Sequence, residues 1–230
     1  MSTLLTQRPV RIVAAACLVV TALLSVMSVL LQPEFPSDPA DRLAAIAESG
    51  TAGTISLLAF ALAQLPFMIA AVAIAGLAAH ARRTALVGCV LAVLGGFGHA
   101  VFSGIGLAYL EMSGDAANRD ALGAVVESIE AGPAVVFMAM GLIGTVLGII
   151  VLGVALFRSR SVPRWIPVSL WVFVVMEFVG TGFSEWASPA AGLLYLAAFT
   201  GTALELVGPN HTRILDGHSM TSPTAPVDKR

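Results

Sequence analysis

Four side chains able to handle a proton or a polar solute stand in stretches otherwise apolar enough for lipid: Gln64, His99, Glu177 and Tyr195. The plainest case is the run from Leu170 to Ser184, Leu-Trp-Val-Phe-Val-Val-Met-Glu-Phe-Val-Gly-Thr-Gly-Phe-Ser. Thr181 and Ser184 follow Glu177 by four and seven residues, a spacing that puts all three on one face of a helix. A charge near the centre of a membrane span costs about 2.5–3.5 kcal/mol on insertion scales, so the rest of the chain must offset it. His99 has a similar companion, Ser103, four residues on. A carboxyl and an imidazole held away from bulk water can relay a proton or fix a small polar molecule. The structural alternative is that the His and a protonated Glu bond neighbouring carbonyls while Ser and Thr bond back to their own helices.

Such residues need a membrane framework, and composition supplies one. Of 230 residues, 57% are hydrophobic and 11% are charged. Mean hydropathy is +0.91. A soluble domain carries about 25% charged residues, so this chain could not cover a globular surface. Ala, Leu, Val and Gly dominate and Lys229 is the sole lysine, as in high-GC bacterial coding sequences. Cys17 and Cys89 both fall in apolar segments and read as small buried hydrophobes. The first apolar run, 12–31, is longer than a signal h-region and lacks a small-x-small cleavage site, so it reads as a retained span.

Six segments reach the length of a span, near 10–31, 54–79, 85–110, 133–157, 165–183 and 187–207. The expected fold is therefore all-α: a polytopic six-transmembrane-helix bundle, one membrane domain over 1–207. A polar tail over 208–230 is expected to be disordered and cytoplasmic. With six spans, Arg8, Arg11, Arg82, Arg83, Arg158, Arg160, Arg164, Arg213, Lys229 and Arg230 fall on one side. The opposite loops hold Arg42 and Arg119 among ten acidic residues, from Glu34 to Glu185. The basic side is the cytoplasmic one by the positive-inside rule, which puts both termini in the cytoplasm of a bacterium and the chain in its plasma (inner) membrane.

The two long outer loops resemble one another. Residues 37–49 read Ser-Asp-Pro-Ala-Asp-Arg-Leu-Ala-Ala-Ile-Ala-Glu-Ser, and residues 114–128 read Gly-Asp-Ala-Ala-Asn-Arg-Asp-Ala-Leu-Gly-Ala-Val-Val-Glu-Ser. Each opens on an Asp suited to capping, has a central Arg and ends in Glu-Ser. They predict two short amphipathic helices on the extracytoplasmic face.

At about 1.5 Å per residue, His99 lies about 21 Å and Glu177 about 18 Å from the cytoplasmic edge. Gln64 lies about 15 Å and Tyr195 about 12 Å from the outer edge. In a core about 30 Å thick, all four come near the middle on four different helices. Ser103 and Thr181 both lie outward of this level, which predicts a vestibule open to the outside with His99 and Glu177 at its floor. Pro66 should kink span two at the same depth.

Other chemistry lacks its residues. There is no His-Glu-x-x-His motif, no pair of mid-span histidines for haem, and no Gly-x-Ser-x-Gly elbow. No cofactor or metal is expected, and an enzyme is disfavoured. The glycines of span three (Gly95, Gly96, Gly98, Gly104, Gly106) and span four (Gly141, Gly144, Gly148) read as close-packing positions. His80 and Glu205 fall near the cytoplasmic edge, as a pair or as groups reaching water.

The order of a span, a Pro-Asp-Ala-rich outer helix, two spans, a second outer helix and three further spans is similar to that of a bacterial six-span family catalogued as a domain of unknown function. So is the link Phe157-Arg-Ser-Arg-Ser-Val-Pro-Arg-Trp-Ile-Pro before span five. The resemblance covers about 10–207 and implies the fold, with no activity and no functional residue. Function therefore rests on the mid-membrane residues: small-solute or proton-linked transport or binding through His99, Glu177, Gln64, Tyr195, Ser103 and Thr181. Alternatives are a structural or sensory membrane module and, further off, a membrane redox enzyme. The partners in play are the lipid bilayer, a small molecule or proton, and a second copy of the chain; nucleic acid is not among them.

Overall fold

A computed structural model describes residues 7–33, 36–184 and 186–208. It contains seven α-helices: α1 (Arg8–Leu31), α2 (Pro39–Leu77), α3 (Arg82–Ser113), α4 (Arg119–Ala131), α5 (Ala134–Ser159), α6 (Trp165–Phe178) and α7 (Ala187–Val207). All but α4 are long and apolar enough, α6 with its trailing turn, to cross a membrane, which makes six candidate spans among the described residues. No strand occurs among the described residues. The tail expected to be disordered lies outside the described residues beyond Gly208, as does Glu185.

The six spanning helices close into a ring in the order α1, α2, α3, α5, α6, α7, each packed on the next and α7 returning to α1. The largest of these interfaces is α3 on α5, and glycine makes it possible. A Cβ on Gly95 would lie 2.3 Å from the Thr145 nitrogen, one on Gly98 2.5 Å from the Gly141 nitrogen, and one on Gly148 2.5 Å from the Ala92 nitrogen. The two backbones touch, so their many weak contacts are made at the shortest range side chains would otherwise forbid. Gly104 departs from the expected packing role: a Cβ there meets nothing within 4 Å.

Helix α6 is held by its tryptophans. Trp171 Nε1 donates to the Ile150 carbonyl at 3.2 Å, and its ring covers Gly153 of α5. The Trp165 ring covers Gly201 of α7. Each glycine leaves a socket into which the indole fits.

The two outer helices form as expected but are joined differently. Asp38 caps the first, accepting from the Ala40 and Asp41 amides at 2.8 and 3.0 Å, with Pro39 at the first helical position. That helix then runs on into span two, so α2 is 39 residues long. The two parts meet at Gly50, whose φ of 54° and ψ of −128° suit only glycine. The expected kink at Pro66 is not where α2 departs from helical backbone angles; Gly50 is. The second outer helix is α4, entered through a turn in which Asp115 accepts from the Asn118 amide at 3.3 Å and its side-chain nitrogen at 2.9 Å. The Asn118 hydrogen bond holds the exposed Asp115 carboxyl below the usual range.

These two helices pack on one another. They bury Leu43, Ile46 and Val126 against each other and against Tyr109 at the end of α3. Arg42 of α2 forms an ion pair with Glu130 of α4, and its Nε donates to the Pro36 carbonyl at 3.2 Å. The pair forms a cap over one end of the ring; the helix ends carrying Arg82, Arg83 and Arg158 lie at the other.

Candidate functional site

The centre of the ring is open. A chamber of about 210 Å³ takes part of its wall from every spanning helix. Helix α1 contributes Thr21 and Ser25, α2 Phe60 and Gln64, α3 His99, α5 Thr145, α6 Phe173 and Glu177, and α7 Tyr195. All four residues expected at mid-membrane depth, Gln64, His99, Glu177 and Tyr195, therefore line one space.

Local structure fixes each of them. Gln64 is buried, and its side-chain nitrogen donates to the Phe60 carbonyl one turn back at 2.7 Å. Tyr195 is buried between Phe173 and Phe199, with ring centroids 4.8 and 4.1 Å away. The His99 ring lies against the backbone of α5 where Gly141 has no side chain: a Cβ there would fall 2.1 Å from His99 Cδ2. Its other neighbour is the Phe60 ring, 5.2 Å away between centroids.

Glu177 sits one residue before the end of α6. Its carboxylate accepts from the Ser188 hydroxyl at 3.1 and 3.4 Å, a contact from the first turn of α7. It is not paired with His99; Arg42–Glu130 is the one salt bridge among the described residues. The two face the same chamber from α3 and α6, with α5 between those helices in the ring.

The two expected polar stripes fare differently. Ser103 joins its stripe: it is buried, and its hydroxyl donates to the His99 carbonyl at 2.7 Å. Thr181 and Ser184 do not join theirs. Helix α6 ends at Phe178 and a tight 3₁₀ turn, Gly180–Gly182, follows, so the i, i+4, i+7 face does not exist. Thr181 is exposed and bonds back to the Glu177 carbonyl at 2.9 Å. Ser184 accepts from the Trp186 amide at 3.3 Å.

A second, larger chamber of about 590 Å³ lies on the cap side. Its floor is His99 and Ser103, its roof Arg42, Glu130 and Tyr109, and its walls include Leu57, Phe60, Phe102, Met138 and Leu142. His99 and Phe60 line both chambers and form the partition between them. This compartment is not the vestibule expected, which was open to the outside with His99 and Glu177 at its floor: Arg42 and Glu130 cap it, α1, α2, α3, α4 and α5 line it, and no residue of α6 does.

Sequence reading missed Thr21, Ser25, Thr145 and Ser188. Isolated hydroxyls in apolar runs usually bond back to their own helix, which hides the few that do not. Thr21 shows the exception, donating to the Ala63 carbonyl of α2 at 3.0 Å. No three His, Cys, Asp or Glu side chains come together for a metal among the described residues. His80 is exposed and makes no ion pair with Glu205.

A ring of six helices, each long and apolar enough to cross a membrane, marks a multi-pass membrane protein. The chain belongs to the family described as a domain of unknown function (DUF4386), which matches residues 13–208 and so takes in almost all of the ring. No curated protein and no solved structure matches the chain.

Proposed function

We propose that this protein binds a small polar solute, or a proton, in the central chamber and moves it across the membrane in which it sits. One observation carries the reading: a single space walled by all six spans gathers an amide, an imidazole, a carboxyl and a phenol. Groups of this kind are costly in lipid, and facing a shared interior cavity is the arrangement that transport sites use. Glu177 is the proton-bearing group, and His99, on the partition, receives the proton from the cap side. The arginine-rich end is the cytoplasmic one and the cap is outside, on a bacterial plasma membrane.

The test is proton entry into proteoliposomes under an imposed gradient, followed by a trapped pH dye. Glu177→Gln retains an acceptor for Ser188 but cannot titrate. Flux should fall to the protein-free level while the variant stays monodisperse and melts close to the wild type. Equal flux in the two proteins overturns the proposal.

A second reading is favoured by the bonds these groups already make. The Gln64 amide nitrogen and the Glu177 carboxylate both have protein partners. On that reading the polar centre fixes helix positions and the cap meets a partner. It predicts lost stability in Glu177→Leu with no flux in any variant.

A further inference from the structure

The cap-side chamber, like the central one, is walled mostly by apolar surface, but it is the larger. Its volume, about 590 Å³, falls inside the ~300–1,000 Å³ range of small-molecule sites. Most of its wall is apolar: Ile46, Leu57, Phe102, Met138 and Leu142. The two charged residues on it, Arg42 and Glu130, neutralise each other in the roof. A ligand with a net charge would face an apolar wall and an ion pair already satisfied, and would lose its hydration without replacement. Of the other polar groups on the lining, Ser28 and Ser56 bond one another, Tyr109 donates to Glu130 and Gln32 is exposed, while at the floor a hydroxyl from Ser103 stands beside the His99 imidazole. The Ser103 hydroxyl already donates to the His99 carbonyl and so offers lone pairs, while the imidazole beside it can accept or donate, and an alcohol can bond both.

The wall also shows where such a ligand comes from. Met138 and Leu142, which line the chamber, are 41% and 46% exposed. Both stand on the spanning helix α5, so lipid chains reach the chamber most directly past these two flexible side chains. We propose that the cap-side chamber is a binding site for an uncharged single-chain amphiphile, a long-chain or terpenoid alcohol. It is taken up laterally from the membrane, with its hydroxyl at His99–Ser103 and its body along Leu57, Phe102 and Met138. The site shares His99 with the proton route proposed above, but its test reads labelling and not flux, so either can fail without the other.

Two neighbouring glycines provide the test. A Cβ on Gly106 would meet Leu57 Cδ2 at 3.4 Å, an ordinary contact, so a larger side chain there grows into the chamber. Gly104 faces open space and serves as the control. The probe is a long-chain alcohol carrying a diazirine beside the hydroxyl, photolysed with the full-length protein in nanodiscs and mapped by mass spectrometry. Adducts should concentrate on 99–109 and fall at least about tenfold in Gly106→Phe, the loss expected for ~1.4 kcal/mol of affinity, while Gly104→Phe labels as the wild type does. A carboxylate probe of the same length should label that segment weakly. Leu57→Trp, filling the chamber from α2, replaces Gly106→Phe if the latter fails to fold. Adducts on lipid-facing positions alone, equal labelling in filled and control variants, or equal labelling by the carboxylate probe each overturn the proposal.

Discussion

The α3 stripe and the α6 stripe look alike as sequence and end up different as structure. Each pairs an ionisable group with a hydroxyl four residues on, His99 with Ser103 and Glu177 with Thr181. Helix α3 continues for 14 residues beyond His99, to Ser113, braced along its length by α5, so its hydroxyl stays on the inner face. Helix α6 stops one residue after Glu177 and gives way to the 3₁₀ turn Gly180–Gly182. Its hydroxyl leaves the interior, and the carboxylate takes a partner from α7 instead. The lesson is that periodicity places a polar pair only where the helix persists, and persistence is a property of packing as much as of residue type.

That contrast can be broken most forcefully at the brace. Gly95→Ala drives a Cβ to 2.3 Å from the Thr145 nitrogen and must push α3 from α5. We expect a loss of about 1–3 kcal/mol by denaturant or thermal unfolding in detergent. Gly182→Ala, where a Cβ meets nothing within 4 Å, should change stability by less than ~0.5 kcal/mol. Equal costs at the two sites would mean that the brace is not what separates the stripes.

The cap over the α3 side is the next lever. Arg42→Ala and Glu130→Ala each leave a half-buried charge without its partner. A double-mutant cycle should return a coupling of about 1–2 kcal/mol, above the ~0–1 kcal/mol of a surface pair. The smallest effects compare the hydroxyls themselves. Ser103→Ala removes a buried hydrogen bond and should cost about 0.5–1.5 kcal/mol. Thr181→Val removes an exposed back-bond and should stay within ~0.5 kcal/mol.

Much of the fold was legible because a span announces itself by length and hydropathy, and because the arginines fall into register only for an even number of crossings. The caps at Asp38 and Asp115 were legible for the same local reason, a side-chain oxygen placed ahead of free amides. What was not legible depends on neighbours distant in sequence. Nothing near Ser188 marks it as the partner of Glu177. Nothing in either outer loop says that Arg42 of one will meet Glu130 of the other. Gly50 looked like one more small residue, and Pro66 the obvious break. A proline whose lost hydrogen bond is absorbed within a packed helix bends it less than a residue released to positive φ.

The brevity of α6 bears on the bilayer itself. Fourteen residues make about 21 Å of α-helix against a hydrocarbon layer about 30 Å thick. Phe183 and Trp186, 87% and 79% exposed, follow directly, and such rings settle at headgroup level. Val179 and the 3₁₀ turn Gly180–Gly182 supply the rest of the crossing, so the stretch of this span just beyond Glu177 is a turn rather than a regular helix. A thicker bilayer presses on that turn first, which makes acyl-chain length in the surrounding lipid a handle on the surroundings of that carboxyl.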